Sequence, residues 1–236
     1  MVEKLLFDLS KYCLDQSLEI LLTLNLPEDL PFNADEFSFP VRVQTNANPK
    51  GFGANHNQAF KSAQGEYFCI VNPDIRFDVN PFPSLLKSFE GDSVGVAAPV
   101  VVGASGDLED SIRRFPTPKI IILKAFGQRK VHDYKFESET LYPDWVGGMF
   151  MLFQHHVFEE FNGFDERYFL YYEDVDLCAR LNLAGLRVVA CNRSIVVHHA
   201  QRSSHKNLKY LRWHLTSMLR YFLSPIFWRL KRLRRL

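Results

Sequence analysis

The chain has 236 residues, of which 47% are hydrophobic and 23% are charged, and this composition excludes a mainly disordered protein. Its 28 Lys and Arg nearly balance 27 Asp and Glu, so the formal net charge of +1 argues against a protein that coats nucleic acid. The four cysteines form no CxxC pair, no apolar stretch is long enough to span a bilayer, and the first residues do not resemble a signal peptide. The sequence therefore predicts a cytoplasmic protein with reduced thiols that is soluble or lies on the cytoplasmic face of a membrane.

Short β-rich runs alternate with helical stretches, a pattern typical of an α/β fold with a mostly parallel central sheet and flanking helices. In chain order, we predict a helix over 3–14, strands over 18–24 and 41–45, a helix over 54–63, a strand over 67–71, a helix over 81–89, a strand over 94–102 and a helix over 119–126. An apolar run with a pair of glycines follows over 146–152. After it we predict helices over 155–161 and 173–184, strands over 187–190 and 194–197, and a helix over 208–222. We predict one domain over 1–222 and a basic amphipathic tail over 223–236.

A glycine-containing loop lies between the second predicted strand and the helix that follows it. Gly51 and Gly53 let a backbone approach a ligand closely, and the helix N-terminus offers free N–H groups to an anion. Asn55 and Asn57 can hydrogen-bond a nucleotide or a phosphate. The alternative is an ordinary strand-to-helix turn with an asparagine cap.

The segment Asn72-Pro73-Asp74 directly follows the strand predicted over 67–71. Ligands of open α/β sheets bind outside the carboxyl ends of the strands, so a carboxylate here is well placed. Asp74 can supply the one carboxylate that a Mg²⁺ ion needs when substrate phosphates complete its shell. An Asx turn that ends the strand is the alternative.

Two further groups of residues can do chemistry. Glu173 and Asp174 begin a predicted helix beside aromatic residues, where partial burial can raise a carboxyl pKa toward that of a useful base. His198 and His199 end a strand, where an imidazole can ligate Mn²⁺ or bind a phosphate. The alternatives are acids that stabilise a helix N-terminus and a structural histidine pair. Motifs for structural zinc, hydrolase triads and P-loops do not occur in the sequence.

Taken together and in order, these segments resemble the family 2 glycosyltransferases, and within them the bacterial rhamnosyltransferase-like branch. The resemblance covers about residues 40–205 and rests on GFGANHNQAF (51–60), GEYFCIVNPD (65–74), WVGGMFML (145–152), NGFDERYFLYYEDVDLCARLNLAGLRVV (162–189) and VVHH (196–199). It implies a GT-A fold and an inverting transfer of a sugar, typically L-rhamnose from dTDP-L-rhamnose, onto a lipid-linked or polysaccharide acceptor.

The resemblance also implies roles for particular residues. Asp174 matches the catalytic base, with Glu173 as its neighbour and less favoured substitute. Asp74 matches the metal-binding acid and His198 a position that contacts the metal or the diphosphate, so Mg²⁺ or Mn²⁺ is the implied cofactor. The donor-binding positions are Asn25, Gly51, Gly53, Asn57, Asn72 and Asp74.

The chain departs from the family pattern near its start. Family members normally begin with a strand whose polar segment helps to hold the base, whereas this chain starts at the first predicted helix. Leu24-Asn25 also stands where Asp-Asn is common. We therefore expect Met1 to be an internal start and the natural chain to carry one more strand upstream.

Two other functions compete with an active transferase. A degenerate relative could keep the fold and act only as a binding partner in a polysaccharide assembly complex. A nucleotidyltransferase on a similar sheet would need a basic glycine-rich signature near the N-terminus, and the sequence has none there. Asp74, Asp174 and His198 together favour the transferase.

The C-terminal segment 219–236 interleaves apolar and basic residues, as an interfacial helix does. Five basic residues and no acid lie in 229–236, so the sequence predicts contact with an anionic membrane surface. The alternative is a helix packed on the domain with its charges in solvent.

Overall fold

The computed structural model describes residues 1–91, 93–125, 133–135, 138–199 and 208–234. The helices are α1 (Val2–Tyr12), α2 (Phe52–Phe60), α3 (Phe82–Lys87), α4 (Pro118–Ala125), α5 (His155–Glu160), α6 (Glu173–Leu183), α7 (Leu208–Leu223) and α8 (Pro225–Arg234). The strands are β1 (Ile20–Leu24), β2 (Val41–Thr45), β3 (Tyr67–Val71), β4 (Ile75–Arg76), β5 (Val94–Gly103), β6 (Ile112–Arg113), β7 (Thr140–Leu141), β8 (Trp145–Val146), β9 (Phe150–Gln154) and β10 (Arg187–His198). The α/β class is confirmed.

The central sheet has the strand order β3-β9-β5-β10-β4, and β7 also pairs with β10. Within this sheet, β5 and β10 are the neighbours that pair in parallel. The pairings of β9 with β3 and β5, and of β10 with β4 and β7, are antiparallel. The expected mostly parallel arrangement is therefore wrong, because an apolar run marks a strand but carries no information on its direction. The runs at 187–190 and 194–197 form one strand with an irregular register between Cys191 and Ile195.

Strands β1 and β2 form a separate parallel pair, with Ile20 opposite Val41 and Leu24 opposite Thr45. In the described part of the chain, no ladder joins this pair to β3. The expectation of one more strand upstream stays a prediction.

The central strand β5 explains how the core is built. Its residues 94–101 are all buried because helices cover both faces of the sheet. One core cluster joins the sheet to α5 and α6, and a second joins its other face to α1 and α3. A strand with two covered faces must be apolar at every position, which is why this run shows no alternation.

The last two helices pack on the domain. Helix α8 buries Phe227 and Leu230, and the Arg234 guanidinium pairs with the Asp144 carboxylate. Its Trp228 stays about half exposed. The inner face of α8 therefore matches the alternative in which the tail is a helix packed on the domain. The domain boundary predicted at residue 222 stays a prediction. Residues 235–236 lie outside the described residues.

None of the helices described here has the length and apolar character needed to cross a bilayer.

Candidate active site

Asp74 and His198 meet at one edge of the central sheet. Asp74 follows β3, and His198 ends β10, where it lies opposite Ile75 of β4. His198 Nε2 lies 3.3 Å from Asp74 Oδ2, and the His199 backbone N–H donates to the Asp74 carbonyl over 2.9 Å. The structure thus brings together two residues that stand 124 positions apart in the sequence.

A third side chain at this edge is Glu109, which the sequence analysis did not single out. His198 Nδ1 lies 2.7 Å from Glu109 Oε2, so the carboxylate accepts a hydrogen bond and holds the imidazole ring. The Glu109 backbone N–H donates to the Val101 carbonyl near the end of β5. Glu109 sits in an irregular stretch without periodicity, so the sequence carried no signal for it.

The charges at this edge are strongly coupled. The hydrogen bond with Asp74 raises the pKa of His198 to about 8, with a further contribution from Glu109 and an opposing one from burial. Burial would raise the pKa of Asp74, but its hydrogen bond with His198 and the imidazolium charge outweigh burial and lower it. The folded protein therefore favours a carboxylate–imidazolium pair here.

The residues at this edge fit a divalent cation. Asp74 Oδ1 is buried and has no hydrogen-bond partner, so one oxygen of a charged carboxylate is left for a ligand. Among the described residues, no cluster of three or more His, Cys, Asp or Glu side chains is arranged to hold a metal. Mg²⁺ or Mn²⁺ needs only one or two ligands from the protein, because water and substrate phosphates complete its coordination.

Glu173 and Asp174 are the first two residues of α6. The residues before them, Tyr171 and Tyr172, both have φ of 69°. Non-glycine residues rarely adopt this left-handed conformation, so two in succession form a strained turn held by its surroundings. Ring contacts of Tyr172 with His214 and Tyr221 of α7 hold the turn in place.

The two acids differ in their partners. Asp174 is partly exposed, and its oxygens accept hydrogen bonds from the backbone N–H groups of Gly148 at 3.0 Å and Val175 at 2.8 Å. Glu173 is only 4% exposed, and its Oε2 has no partner. N–H groups of two other residues stabilise the charged form of Asp174, whereas the charged form of Glu173 is stabilised only by its own backbone N–H.

Burial raises the pKa of both acids. For Glu173 it is raised well above the ordinary value, and the charge of Asp174 adds to the effect. For Asp174, the backbone N–H groups of Gly148 and Val175 and the positive charge of Arg113 oppose the effect of burial. Both carboxyl groups are therefore harder to ionise than free ones, and Asp174 is the one whose charged form is stabilised by the N–H groups of Gly148 and Val175.

A short glycine segment joins the two parts of the site. The Met149 carbonyl accepts from the Asn72 N–H over 2.9 Å, while Gly148 donates to Asp174. A Cβ atom at Gly148 would lie 3.2 Å from the Phe52 ring and 3.7 Å from Asp174 Oδ2. The segment therefore links the strand end before Asp74 to the Asp174 carboxylate, and a side chain at Gly148 would crowd the Phe52 ring.

The two glycines of the 48–57 loop approach the chain itself. A Cβ atom at Gly51 would lie 2.6 Å from the Phe169 carbonyl oxygen, and one at Gly53 would lie 2.7 Å from the Phe164 Cβ. Because these distances are shorter than real Cβ contacts, both glycines let α2 pack on 164–169. Their role in donor binding stays a prediction.

Asn57 is occupied by the protein. Its amide group donates to the Phe164 carbonyl and accepts from the Phe164 N–H, at 2.8 and 2.9 Å, and it also donates to Glu166. These contacts clamp α2 to the loop before α6 and do not support the predicted contact between Asn57 and the donor.

Asn25 belongs to a polar network at the end of β1. Its side chain exchanges hydrogen bonds with the Lys50 backbone, at 2.8 and 3.0 Å, and accepts from Asn46. Asn46 is buried and also donates to Asn55. The network orients the turn before Gly51, and the predicted donor contacts of Asn25 and Asn72 stay predictions.

Comparisons with known proteins identify the family of the chain. The family model for "Glycosyl transferase family 2" matches residues 14–156, and a model described as "N-terminal domain of galactosyltransferase" matches residues 128–206. The chain therefore belongs to glycosyltransferase family 2, in the branch that contains rhamnosyltransferases.

Two curated relatives define that branch. The chain is 34% identical to the rhamnosyltransferase WbbL of Escherichia coli over 72% of its own length and 69% of the relative's. It is 29% identical to an N-acetylglucosaminyl-diphospho-decaprenol L-rhamnosyltransferase of Mycobacterium tuberculosis over 59% of its length, and it spans about half of that protein (48%).

Two solved structures show the same GT-A fold. TarS of S. aureus, in complex with UDP-GlcNAc, superposes with a TM-score of 0.62 over 95% of this chain and 63% of TarS, at 14% identity. GalNAc-T7 with UDP, GalNAc and Mn²⁺ superposes with a TM-score of 0.60 over 80% of this chain and 38% of GalNAc-T7, at 15% identity. The GT-A fold class is confirmed.

Proposed function

We propose that the protein is an inverting glycosyltransferase that moves L-rhamnose from dTDP-L-rhamnose onto a lipid-linked or cell-surface polysaccharide acceptor, at the cytoplasmic face of a membrane. One observation carries the proposal: the 147–149 segment is hydrogen-bonded to Asp174 through Gly148 and to Asn72, two residues before Asp74, through Met149, so the base would lie close to the cation-binding edge. The names of the E. coli and M. tuberculosis relatives support rhamnose as the sugar.

The Asp74–His198 edge would hold the cation. Asp74 would offer its unpartnered Oδ1, and His198 would offer Nε2 once that nitrogen has released the proton it shares with Asp74, while Glu109 accepts from Nδ1 and keeps the ring in place. When bound, Mg²⁺ or Mn²⁺ neutralises the charge that develops on the nucleoside diphosphate as it leaves.

Asp174 would act as the general base. Its carboxylate takes the proton of the acceptor hydroxyl while that oxygen forms a bond to the anomeric carbon. The bond from this carbon to the diphosphate oxygen breaks in the same step, and attack from the opposite face inverts the configuration. Gly148 and Val175 keep the carboxylate oriented through this step, since both donate to it.

A donor screen tests the proposal. We would measure nucleoside diphosphate release from dTDP-L-rhamnose, UDP-glucose, UDP-galactose and GDP-mannose, with Mg²⁺ or Mn²⁺ and a short-chain N-acetylglucosaminyl-diphospho-lipid acceptor. We expect turnover only with dTDP-L-rhamnose. Turnover with another donor would overturn the sugar assignment. A folded chain that binds donor and turns over none would favour the non-catalytic binding partner.

Glu109 provides a separate test of the cation edge. We expect Glu109→Ala to weaken Mn²⁺ binding about 10–100-fold, because a metal-ligating histidine loses its orienting carboxylate. Glu109→Gln keeps an acceptor oxygen for His198 Nδ1 and should lose less. Titration calorimetry with Mn²⁺ and dTDP measures both affinities.

The control for this test is Glu90→Ala, which removes an exposed acid on another part of the surface. It should leave the Mn²⁺ affinity unchanged. Equal affinities for Glu109→Ala and the original chain would show that Glu109 does not position His198.

A further inference from the structure

The outer face of α7 carries a row of exposed leucines. Leu208, Leu211, Leu215, Leu219 and Leu223 are 82%, 54%, 44%, 57% and 77% exposed. They follow one another at intervals of three or four residues, so they form one stripe along all 16 residues of the helix. A helix at a protein surface normally turns such a stripe toward the core.

The inner face of the same helix is already packed. Ser217 and Tyr221 are buried, and the Ser217 hydroxyl donates to the Leu170 carbonyl over 2.9 Å. Trp213 stacks on Phe169 with ring centroids 4.6 Å apart. At 100° per residue, the buried positions lie on the side of α7 opposite the leucine row. The row is therefore a second apolar face, which folding of the described residues leaves in solvent.

The charges around the leucine row have one sign. Residues 208–234 contain no Asp or Glu, and their basic residues are Lys209, Arg212, Arg220, Arg229, Lys231, Arg232 and Arg234. Arg212 and Arg220 are exposed on α7, and α8 adds exposed Arg229 and Arg232 beside the half-exposed Trp228. An apolar stripe with basic neighbours and a tryptophan is typical of a helix that lies in the headgroup region of an anionic bilayer.

We propose that the outer face of α7, defined as the leucine row with Arg212, binds the surface of an anionic lipid bilayer, and that exposed side chains of α8 extend the contact. A second copy of the chain fits this face less well, because pairing two α7 helices would bring two basic segments together. This surface differs from the predicted tail, since α8 uses Phe227 and Leu230 to pack on the domain.

The position of α7 gives this contact a consequence for the site. The inner face of α7 touches residues 169–172, which come directly before Glu173 and Asp174. Residues 169–172 and the bilayer would thus lie on opposite sides of α7, about 10 Å apart. A lipid-linked acceptor would reach Asp174 without leaving the membrane. This consequence rests on the proposed function, whereas the lipid contact of α7 does not depend on it.

Vesicle sedimentation with the full chain tests the proposal, using phosphatidylcholine vesicles with and without an equal part of phosphatidylglycerol. We expect binding to the anionic vesicles only, weakened by added NaCl. Leu211→Gln/Leu215→Gln/Leu219→Gln should lower the partition coefficient on the order of 10²-fold, because three apolar side chains no longer enter the bilayer. Arg212→Gln and Arg229→Gln should each lower it roughly fivefold.

The matched control is Leu14→Gln/Leu26→Gln/Val79→Gln, which changes three exposed apolar residues away from α7. It should bind vesicles like the original chain. Undiminished binding by the α7 variant would overturn the proposal. The proposal would also be overturned if sedimentation equilibrium showed that the original chain is a dimer and that the α7 variant is a monomer. The assay contains neither donor nor acceptor, so failure here leaves the transferase proposal standing.

Discussion

Replacing Asp174 with Asn should lower turnover by about 10²–10⁴-fold while leaving the fold and donor affinity close to those of the original chain. The amide oxygen of Asn can still accept the Gly148 N–H that fixes the carboxylate. The start of α6 should therefore keep its geometry and lose only the group that takes the proton. Rates under saturating donor, donor titration and thermal unfolding separate these effects.

The matched control for this prediction is Glu173→Gln. Glu173 is buried with an unpartnered oxygen, and burial together with the charge of Asp174 raises its pKa well above the ordinary value. Glutamine has nearly the same shape and no charge, and turnover should stay within about tenfold of the original. If Glu173→Gln abolished turnover and Asp174→Asn did not, Glu173 would be the base.

The pH profile provides a third measurement on the same group. Burial raises the pKa of Asp174 above its ordinary value of 3.8. A base works only when deprotonated, so the rate should fall as the pH falls through this raised pKa. We expect the acidic limb of the profile to lie above 3.8 and to be missing from the residual activity of Asp174→Asn.

The second large effect is expected at Asp74. Asp74→Asn should weaken Mn²⁺ binding in the presence of dTDP by at least about 10²-fold, because it removes the carboxylate charge on which a hard cation depends. Titration calorimetry measures this loss without turnover. Turnover should fall with it, and the remaining activity should no longer depend on added metal.

Asp78→Asn is the control for this change, since it alters an exposed acid four residues away. It should leave Mn²⁺ affinity and turnover as they are. Full activity of the original chain in EDTA would remove the metal role of both Asp74 and His198.

Much of the local structure could be predicted because it depends on neighbours in sequence. The strands β2 and β3 have the predicted bounds, and α2, α6 and α7 end within a few residues of theirs. The predicted strand ends placed Asp74 and His198 directly after strands, and the family resemblance implied that both act at the metal or the diphosphate. Periodicity, turn residues and helix starts act over a few residues, which is the range that a sequence pattern can resolve.

Other features depend on residues that are distant in the chain. The direction of β9, the hydrogen bond that His198 donates to Glu109, and the hydrogen bonds between Asn57 and Phe164 all follow from packing between separate segments. No periodic signal marks such partners, because their positions in the sequence are unrelated.

The pair Glu173–Asp174 depends both on local sequence pattern and on packing between distant segments. The local pattern was enough to place two acids at the start of a helix beside aromatic residues. The difference between the two acids depends on the Gly148 N–H, 26 residues from Asp174, and on the buried position of Glu173. Residues that are close in sequence determine the position of a side chain on its helix or strand. Its ionisation depends on hydrogen bonds and burial, which exist only once distant segments have packed together.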